Sequence, residues 1–199
     1  MITKAMAALI ESLTKLPGVG SKTAARLAYN IAEMKAEDVE NLAAAIRNVK
    51  AATHTCAICF TTIDSDREIC EICESTQRDD KTICVVKDAK DLEAIEHADV
   101  YGGKYHVTGG LISPIAGITQ EDIRFAELLE RVRQSEITEV IVAFEPSIEG
   151  SVTANFIAKS LKATGVKVTK LAQGMAVGAD FAGTDSVTIA RAIENRVPV

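Results

Sequence analysis

The sequence predicts a multidomain protein of α+β and α/β character, with a helical head, a cysteine-bearing knuckle and a body built on a mostly parallel sheet. Three observations carry this expectation. Apolar residues over positions 1–53 recur at helical spacing. Four cysteines stand as two C-x₂-C pairs within a short segment. Beyond residue 78, strand-like and helix-like runs alternate, the pattern of a parallel sheet crossed by helices.

The totals set the bounds. A chain of 199 residues with 47% hydrophobic composition can bury a substantial core. It has no apolar run long enough to span a bilayer, and its N-terminus has helical periodicity and a glutamate where a secretory signal would be unbroken. A cytoplasmic protein is expected, with reduced cysteines free to bind metal. The net charge of −6 argues against a globally nucleic-acid-binding surface, but residues 1–53 carry seven basic against five acidic side chains. A mildly basic head on an acidic body is compatible with local phosphate binding.

In chain order, Met6, Leu9, Ile10, Leu13 and Leu16 mark a first helix. Ser21 is expected to cap a second, running to about Met34 and burying Ala24, Ala25, Leu27, Ala28 and Ile31. A third, from about Glu37 to Ala52, would turn Val39, Leu42, Ala43, Ile46 and Val49 inward. After the cysteine segment, Ile83–Val86 reads as a buried strand and Asp88–His97 as a helix. A long loop follows, leading to a helix opened by Thr119-Gln120-Glu121-Asp122, a capping-box pattern with Asp in the last position. Glu139–Phe144 and Val166–Leu171 read as strands, Val152–Ala163 as the helix between them, and a Thr184-capped helix closes the chain.

The stretch LPGVGSKTAAR superficially suggests a nucleotide-binding P-loop. The spacing excludes it: Ser21 separates Gly20 from Lys22, no glycine stands five positions before Gly20, and a helix precedes the loop instead of a strand. Gly18 and Gly20 are expected where positive φ or close backbone approach is needed. The amides opening the second helix would point outward, with Lys22 and Arg26 four apart on one face. Such a surface suits DNA phosphates and cannot read bases, so binding would be sequence-independent and salt-sensitive. The plainer alternative is a helix pair whose glycines only make the turn. The stretch resembles the helix-hairpin-helix motif of non-specific DNA-binding proteins.

Cys56, Cys59, Cys70 and Cys73 form C-x₂-C-x₁₀-C-x₂-C, a spacing that aims four thiolates at one point. With every position a thiolate, no coordination site remains for a reactive water, so a bound Zn²⁺ would be structural. Cys84, in an apolar run, is read as core. In the α/β body, ligands bind at the C-terminal ends of strands. There the sequence places Lys87-Asp88 and Glu145-Pro146-Ser147-Ile148-Glu149-Gly150. The arrangement resembles the Toprim fold of topoisomerases and primases, which holds Mg²⁺ with a glutamate after its first strand and an Asp-x-Asp later. Lys87 stands where that glutamate is expected and no Asp-x-Asp follows Phe144, so metal catalysis is disfavoured.

These three parts in this order resemble the bacterial recombination mediator family RecR over nearly the whole chain. The resemblance rests on LPGVGSKTAARLA, the cysteine pattern followed by RDDKTICVV, YGGKYHVTGGLISPIAGI, EPSIEGSVTA and VTKLAQGMAVGAD. It implies a helix-hairpin-helix DNA-binding domain over 1–53, a four-cysteine zinc finger over 54–77, a Toprim-like domain over 78–172 and a C-terminal segment, 173–199, contributing oligomer contacts. It also implies a non-enzymatic, cytoplasmic, nucleoid-associated protein that forms a homo-oligomer, a ring tetramer in form. Such a protein binds single- and double-stranded DNA and, with RecO and in some settings RecF, helps load RecA onto DNA coated by single-strand-binding protein. DNA contacts fall on Gly18, Gly20, Lys22 and Arg26, zinc on the four cysteines, and the RecO-facing acidic surface on Asp88, Glu145 and Glu149. The chain departs from the family at Lys87, Ser151 and Ala182, where carboxylates are usual, and Glu145 adds one. The alternatives are a Mg²⁺-dependent phosphodiester enzyme of Toprim type, or an interaction module whose hairpin is only a scaffold.

Overall fold

The computed structural model describes residues 2–197. The chain divides after Thr53 into two compact units.

In the first unit, α1 (Lys4–Thr14) is opened by Thr3, whose Oγ1 accepts from the Met6 amide at 3.2 Å. Leu16-Pro17-Gly18-Val19 makes a tight turn closed by Val19 N–H on the Leu16 carbonyl at 3.1 Å. Proline presets the second position and Gly18 supplies φ +81° at the third, as a type II turn requires. The chain then enters α2 (Ser21–Glu33), which packs on α1 with Ala24 and Ala28 fully buried; their small side chains let the two backbones approach. Gly20, not Ser21, is the capping residue, and no side chain caps this helix. Ser21 lies one position too late, already within the first turn. In α3 (Ala36–Ala52) the apolar stripe is inward only in part: Val39 and Ala43 are half-buried, but Leu42, Ile46 and Val49 are 41%, 64% and 56% exposed. The helical spacing is legible in the sequence, but the described residues of this unit leave that face open.

At the boundary, β1 (Thr53–Thr55) pairs with β2 (Thr62–Asp64) in a two-stranded sheet around the first cysteine pair, and Cys70 caps α4 (Glu71–Glu74), which carries Cys73. The main sheet is four-stranded and parallel, in the order β4 (Gly103–Val107), β3 (Asp79–Val86), β5 (Glu139–Val142), β6 (Lys167–Lys170). On one face, Ile83, Val85, Val140 and Val142 pack against Leu128 and Val132 of α6 (Phe125–Gln134) and Ile157 and Leu161 of α7 (Ile148–Leu161). On the other, Cys84 and Val86 pack with Leu92 of α5 (Ala89–His97), Tyr105 and Val107. Alternating residues of β3 therefore serve two cores, as in a sheet covered on both faces. Gly165 ends the 3-10 turn after α7 with φ +76°. The closing helix α8 (Ser186–Glu194) is capped by Asp185, which accepts from the Val187 and Thr188 amides; Thr184 instead donates to the Asp180 carbonyl. The predicted start at Thr119 is also displaced. Asp122 accepts from the Thr119 amide and hydroxyl as in a capping box, but this forms an isolated turn, and the helix begins at Phe125.

The segment read as a long loop contains a strand. β4 is buried throughout, although its sequence, GKYHV, includes a lysine and a histidine. Both are accommodated by hydrogen bonds. Nε2 of His106 lies 2.6 Å from the Arg124 carbonyl, a geometry that assigns the ring proton to Nε2. Its Nδ1 is buried with no hydrogen-bond partner among the described residues. Burial, with Arg131 and Arg124 nearby, lowers the imidazole from 6.5 to about 4. The folded state therefore resists a proton that the unfolded chain accepts readily. Stability is held above pH 6.5 and lost as the pH falls toward about 4. The full loss is on the order of 3 kcal/mol. Urea denaturation at pH 7 and pH 4.5 should show this decline, and a His106→Leu variant should lose that component. An equally steep decline in the variant would contradict a neutral, buried imidazole.

Candidate functional sites

The hairpin presents a helix N-terminus without a side-chain cap. Gly20, at φ −76°, needs no glycine for backbone reasons, and a Cβ there would meet nothing within 4 Å. Only Gly18 is required by its conformation. The first turn of α2 has no acidic residue, and Lys22 and Arg26 are exposed and form no ion pair among the described residues. The positive pole of the helix and two free cations thus lie on one open surface, an arrangement that attracts anions.

The sulfur atoms of Cys56, Cys59, Cys70 and Cys73 all lie within 4.8 Å of one another. The first three residues are buried, and Cys73 is half-buried. Backbone amides point at the sulfurs: Ile58 and Cys70 N–H donate to Cys56 Sγ at 3.5 and 3.3 Å, and Cys73 N–H donates to Cys70 Sγ at 3.4 Å. The amide donating to Cys70 favours its thiolate, the form that binds metal. Cys59 and Cys70 stand 3.5 Å apart, and this contact holds the Cys59 thiol high while pulling Cys70 well below the usual thiol range. Sulfurs so crowded, with convergent amides and no disulfide, fit a tetrahedral metal ion. The turn after Cys59 places Phe60 at φ +64°, where glycine would be easier, and uses its ring. Phe60 meets His106 edge-on at 5.4 Å and lies under the Arg124 guanidinium at 4.4 Å. The Cys59 carbonyl accepts the Val107 amide at 2.8 Å, so the first knuckle is tied to β4.

The third site is at the sheet's C-terminal edge. From β3 the chain crosses to β4 on one side and later returns to β5 on the other, so the switch point of the sheet lies between β3 and β5. Lys87 and Glu145 follow those two strands and meet there: Lys87 Nζ is 3.4 Å from Glu145 and 3.8 Å from Asp88. Burial opposes the lysine charge, but Glu145, Asp91 and Asp88 outweigh it and the net shift is upward. Burial and the Asp88 charge push Asp91 upward. Asp88 also caps α5, accepting from the Asp91 amide at 3.0 Å. Glu149 lies in the first turn of α7, half-buried, and forms no ion pair with Lys87. The predicted acidic trio is therefore drawn together only in part, around an ammonium. A cleft of about 680 Å³ opens beside Glu145, lined also by Ser151, Asn155, Lys170, Gln173 and Arg191.

Sequence reasoning missed Lys104, a nearly fully buried lysine on β4 beside the cysteine knuckle. The paired glycines 102–103 and 109–110 that bracket its strand were the available signal.

A helix-hairpin-helix, a four-cysteine knuckle and a Toprim domain define a protein of the DNA-transaction class. Residues 6–50 match the RecR helix-hairpin-helix and residues 81–172 the Toprim domain. The chain is 44% identical over 196 residues to Recombination protein RecR of Paenarthrobacter aurescens (strain TC1), covering 98% of each. It is 45% identical over 188 residues to Recombination protein RecR of Streptomyces avermitilis and of Streptomyces coelicolor, covering 94% of each. The chain belongs to the RecR family. Within the described residues, no helix is long and apolar enough to cross a membrane.

At the sheet edge, Gly150 allows the loop after β5 to lie against α7, because a Cβ there would run into the Glu145 carbonyl oxygen. Gly150→Ala is expected to lower stability by about 1–3 kcal/mol. A urea midpoint equal to wild type would show that the loop can move aside freely.

Proposed function

We propose that this chain is a DNA-binding recombination mediator that acts by binding and assembly in recombinational repair, and not by turnover. The observation that carries the reading is the hairpin: an uncapped helix start, open space at Gly20, and Lys22 and Arg26 free of carboxylate partners among the described residues. Phosphate oxygens would accept from the α2 amides near Gly18 and Gly20, and the two cations would neutralise neighbouring phosphates. None of these groups reads a base edge, so single- and double-stranded DNA would both bind without sequence preference. The relatives named Recombination protein RecR support a role in recombination.

Zn²⁺ is the metal proposed for the four thiolates, on ligand chemistry and spacing. Its role would be to fix the knuckle, since four cysteines leave no open coordination position. A homo-oligomer, a ring tetramer as the family resemblance implies, is supported by the uncovered stripe of Leu42, Ile46 and Val49 and by exposed Val177, Phe181 and Ile193 near the C-terminus. RecO is proposed to meet the face bearing Asp88, Glu145 and Glu149, with RecF as a further partner and RecA loading as the outcome. Mg²⁺-dependent phosphodiester chemistry is disfavoured, because the Lys87 ammonium lies between the carboxylates where a dication would have to bind.

Gel shifts with single- and double-stranded DNA at two salt concentrations test the grip. Wild type should bind and weaken with salt. Lys22→Ala/Arg26→Ala should bind far more weakly, with a log–log salt slope shallower by about 2. Equal affinity in the double variant would place any DNA contact elsewhere. Metal analysis of protein purified without added metal should find zinc at a ratio near one per chain, and Cys59→Ser should lose it. Zinc retained in full by that variant would contradict the assigned ligands.

A further inference from the structure

Lys104 is an isolated expense in the core: a lysine only 3% exposed, near the start of a buried strand. A buried ammonium is tolerated only when its charge and its donors are satisfied. Its hydrogen bonds go to backbone carbonyls outside the sheet. Nζ donates to the carbonyls of Ile72 at 2.9 Å, Cys73 at 3.2 Å and Ser75 at 2.6 Å. These three bonds use all the donors an ammonium has. The one carboxylate within reach among the described residues, Asp80 at 3.4 Å, is itself largely exposed. All three carbonyls belong to the backbone at and after the second cysteine pair, so the lysine grips the end of α4 and Ser75 behind it.

We propose that Lys104 is a positioning residue of the metal centre, holding the Cys70–Cys73 knuckle in its metal-binding conformation and offsetting the negative charge of four thiolates around a dication. The inference rests on reading the cysteine cluster as a metal site. Four thiolates outnumber the charge of a divalent ion, so the loaded centre is net anionic, in a place where most of its ligands are buried. The amides that donate to Cys56 and Cys70 supply dipoles but no charge. Lys104 supplies a full positive charge on the carbonyl side of Cys73. The same grip restrains the knuckle. With the Cys73 carbonyl and its neighbours held by β4, and the Cys59 carbonyl held by the Val107 amide, one strand fixes both halves of the cysteine pattern. Groups that orient metal ligands in this way are typically worth about 10- to 100-fold in metal affinity.

The test is metal retention, measured apart from DNA binding. Zinc-loaded wild type, Lys104→Met, Lys104→Gln and Asp80→Asn are mixed with excess 4-(2-pyridylazo)resorcinol and zinc transfer is timed. The cobalt-substituted proteins are compared by their thiolate-to-metal and d–d absorption. Lys104→Met keeps the length and removes charge and donors; it should release zinc on the order of 10- to 100-fold faster, with a weakened tetrahedral cobalt spectrum. Lys104→Gln, which retains a donor without the charge, should fall between it and wild type, and decides the question if the Met variant does not fold. Asp80→Asn touches only the exposed side of the ammonium and should retain zinc at least as well as wild type. Wild-type release rates and spectra in both Lys104 variants, or faster release from Asp80→Asn, would overturn the proposal. A wild-type protein that binds no metal would instead overturn the reading of the cysteine cluster.

Discussion

The second unit depends on the pairing of β3 with a parallel strand on each side. Cys84 lies opposite Tyr105 of β4 and Ile141 of β5. Parallel pairing fixes which end of the sheet collects the strand exits, and the order β4-β3-β5-β6 fixes where the connections diverge. Lys87 and Glu145 meet because they leave adjacent strands at that point. The same pairing places β4 at the sheet's edge, where its outer side would otherwise present unpaired backbone groups. The Cys59 carbonyl pairs one of them by accepting the Val107 amide, and the Lys104 ammonium of the same strand holds the second cysteine pair. The cysteine cluster is thus tied to the edge of the parallel sheet.

Two of the three sites work through backbone groups. At the hairpin, Gly18 makes the turn and an uncapped helix start leaves amides facing outward. At the cysteine centre, amides converge on sulfur. Each arrangement is electrostatically suited to negative charge. The third site holds negative charge with a side chain: the Lys87 ammonium lies among Glu145, Asp88 and Asp91.

What the sequence revealed follows from how local each feature is. The C-x₂-C pairs and the Leu16–Val19 turn are set by neighbouring residues, and both could be read directly. Cap positions were harder, because Ser21 and Thr184 are good capping residues that lie beside the true caps, Gly20 and Asp185. β4 was hidden because its Lys104 and His106 owe their burial to carbonyls of residues far away in the chain, at Ile72, Cys73, Ser75 and Arg124. No local pattern signals such partners. The outward face of α3 failed for a related reason: helical spacing shows that Leu42, Ile46 and Val49 share a side, not that one chain covers it. The meeting of Lys87 with Glu145, 58 positions apart, required the strand order.

The most direct measurement is amide hydrogen exchange of the wild-type protein, alone and with a short DNA of mixed sequence, at low and moderate salt. A backbone grip by the hairpin predicts new protection centred on residues 16–26 that fades as salt rises. Protection confined to the sheet edge around residues 145–151, with the hairpin unchanged, would contradict it.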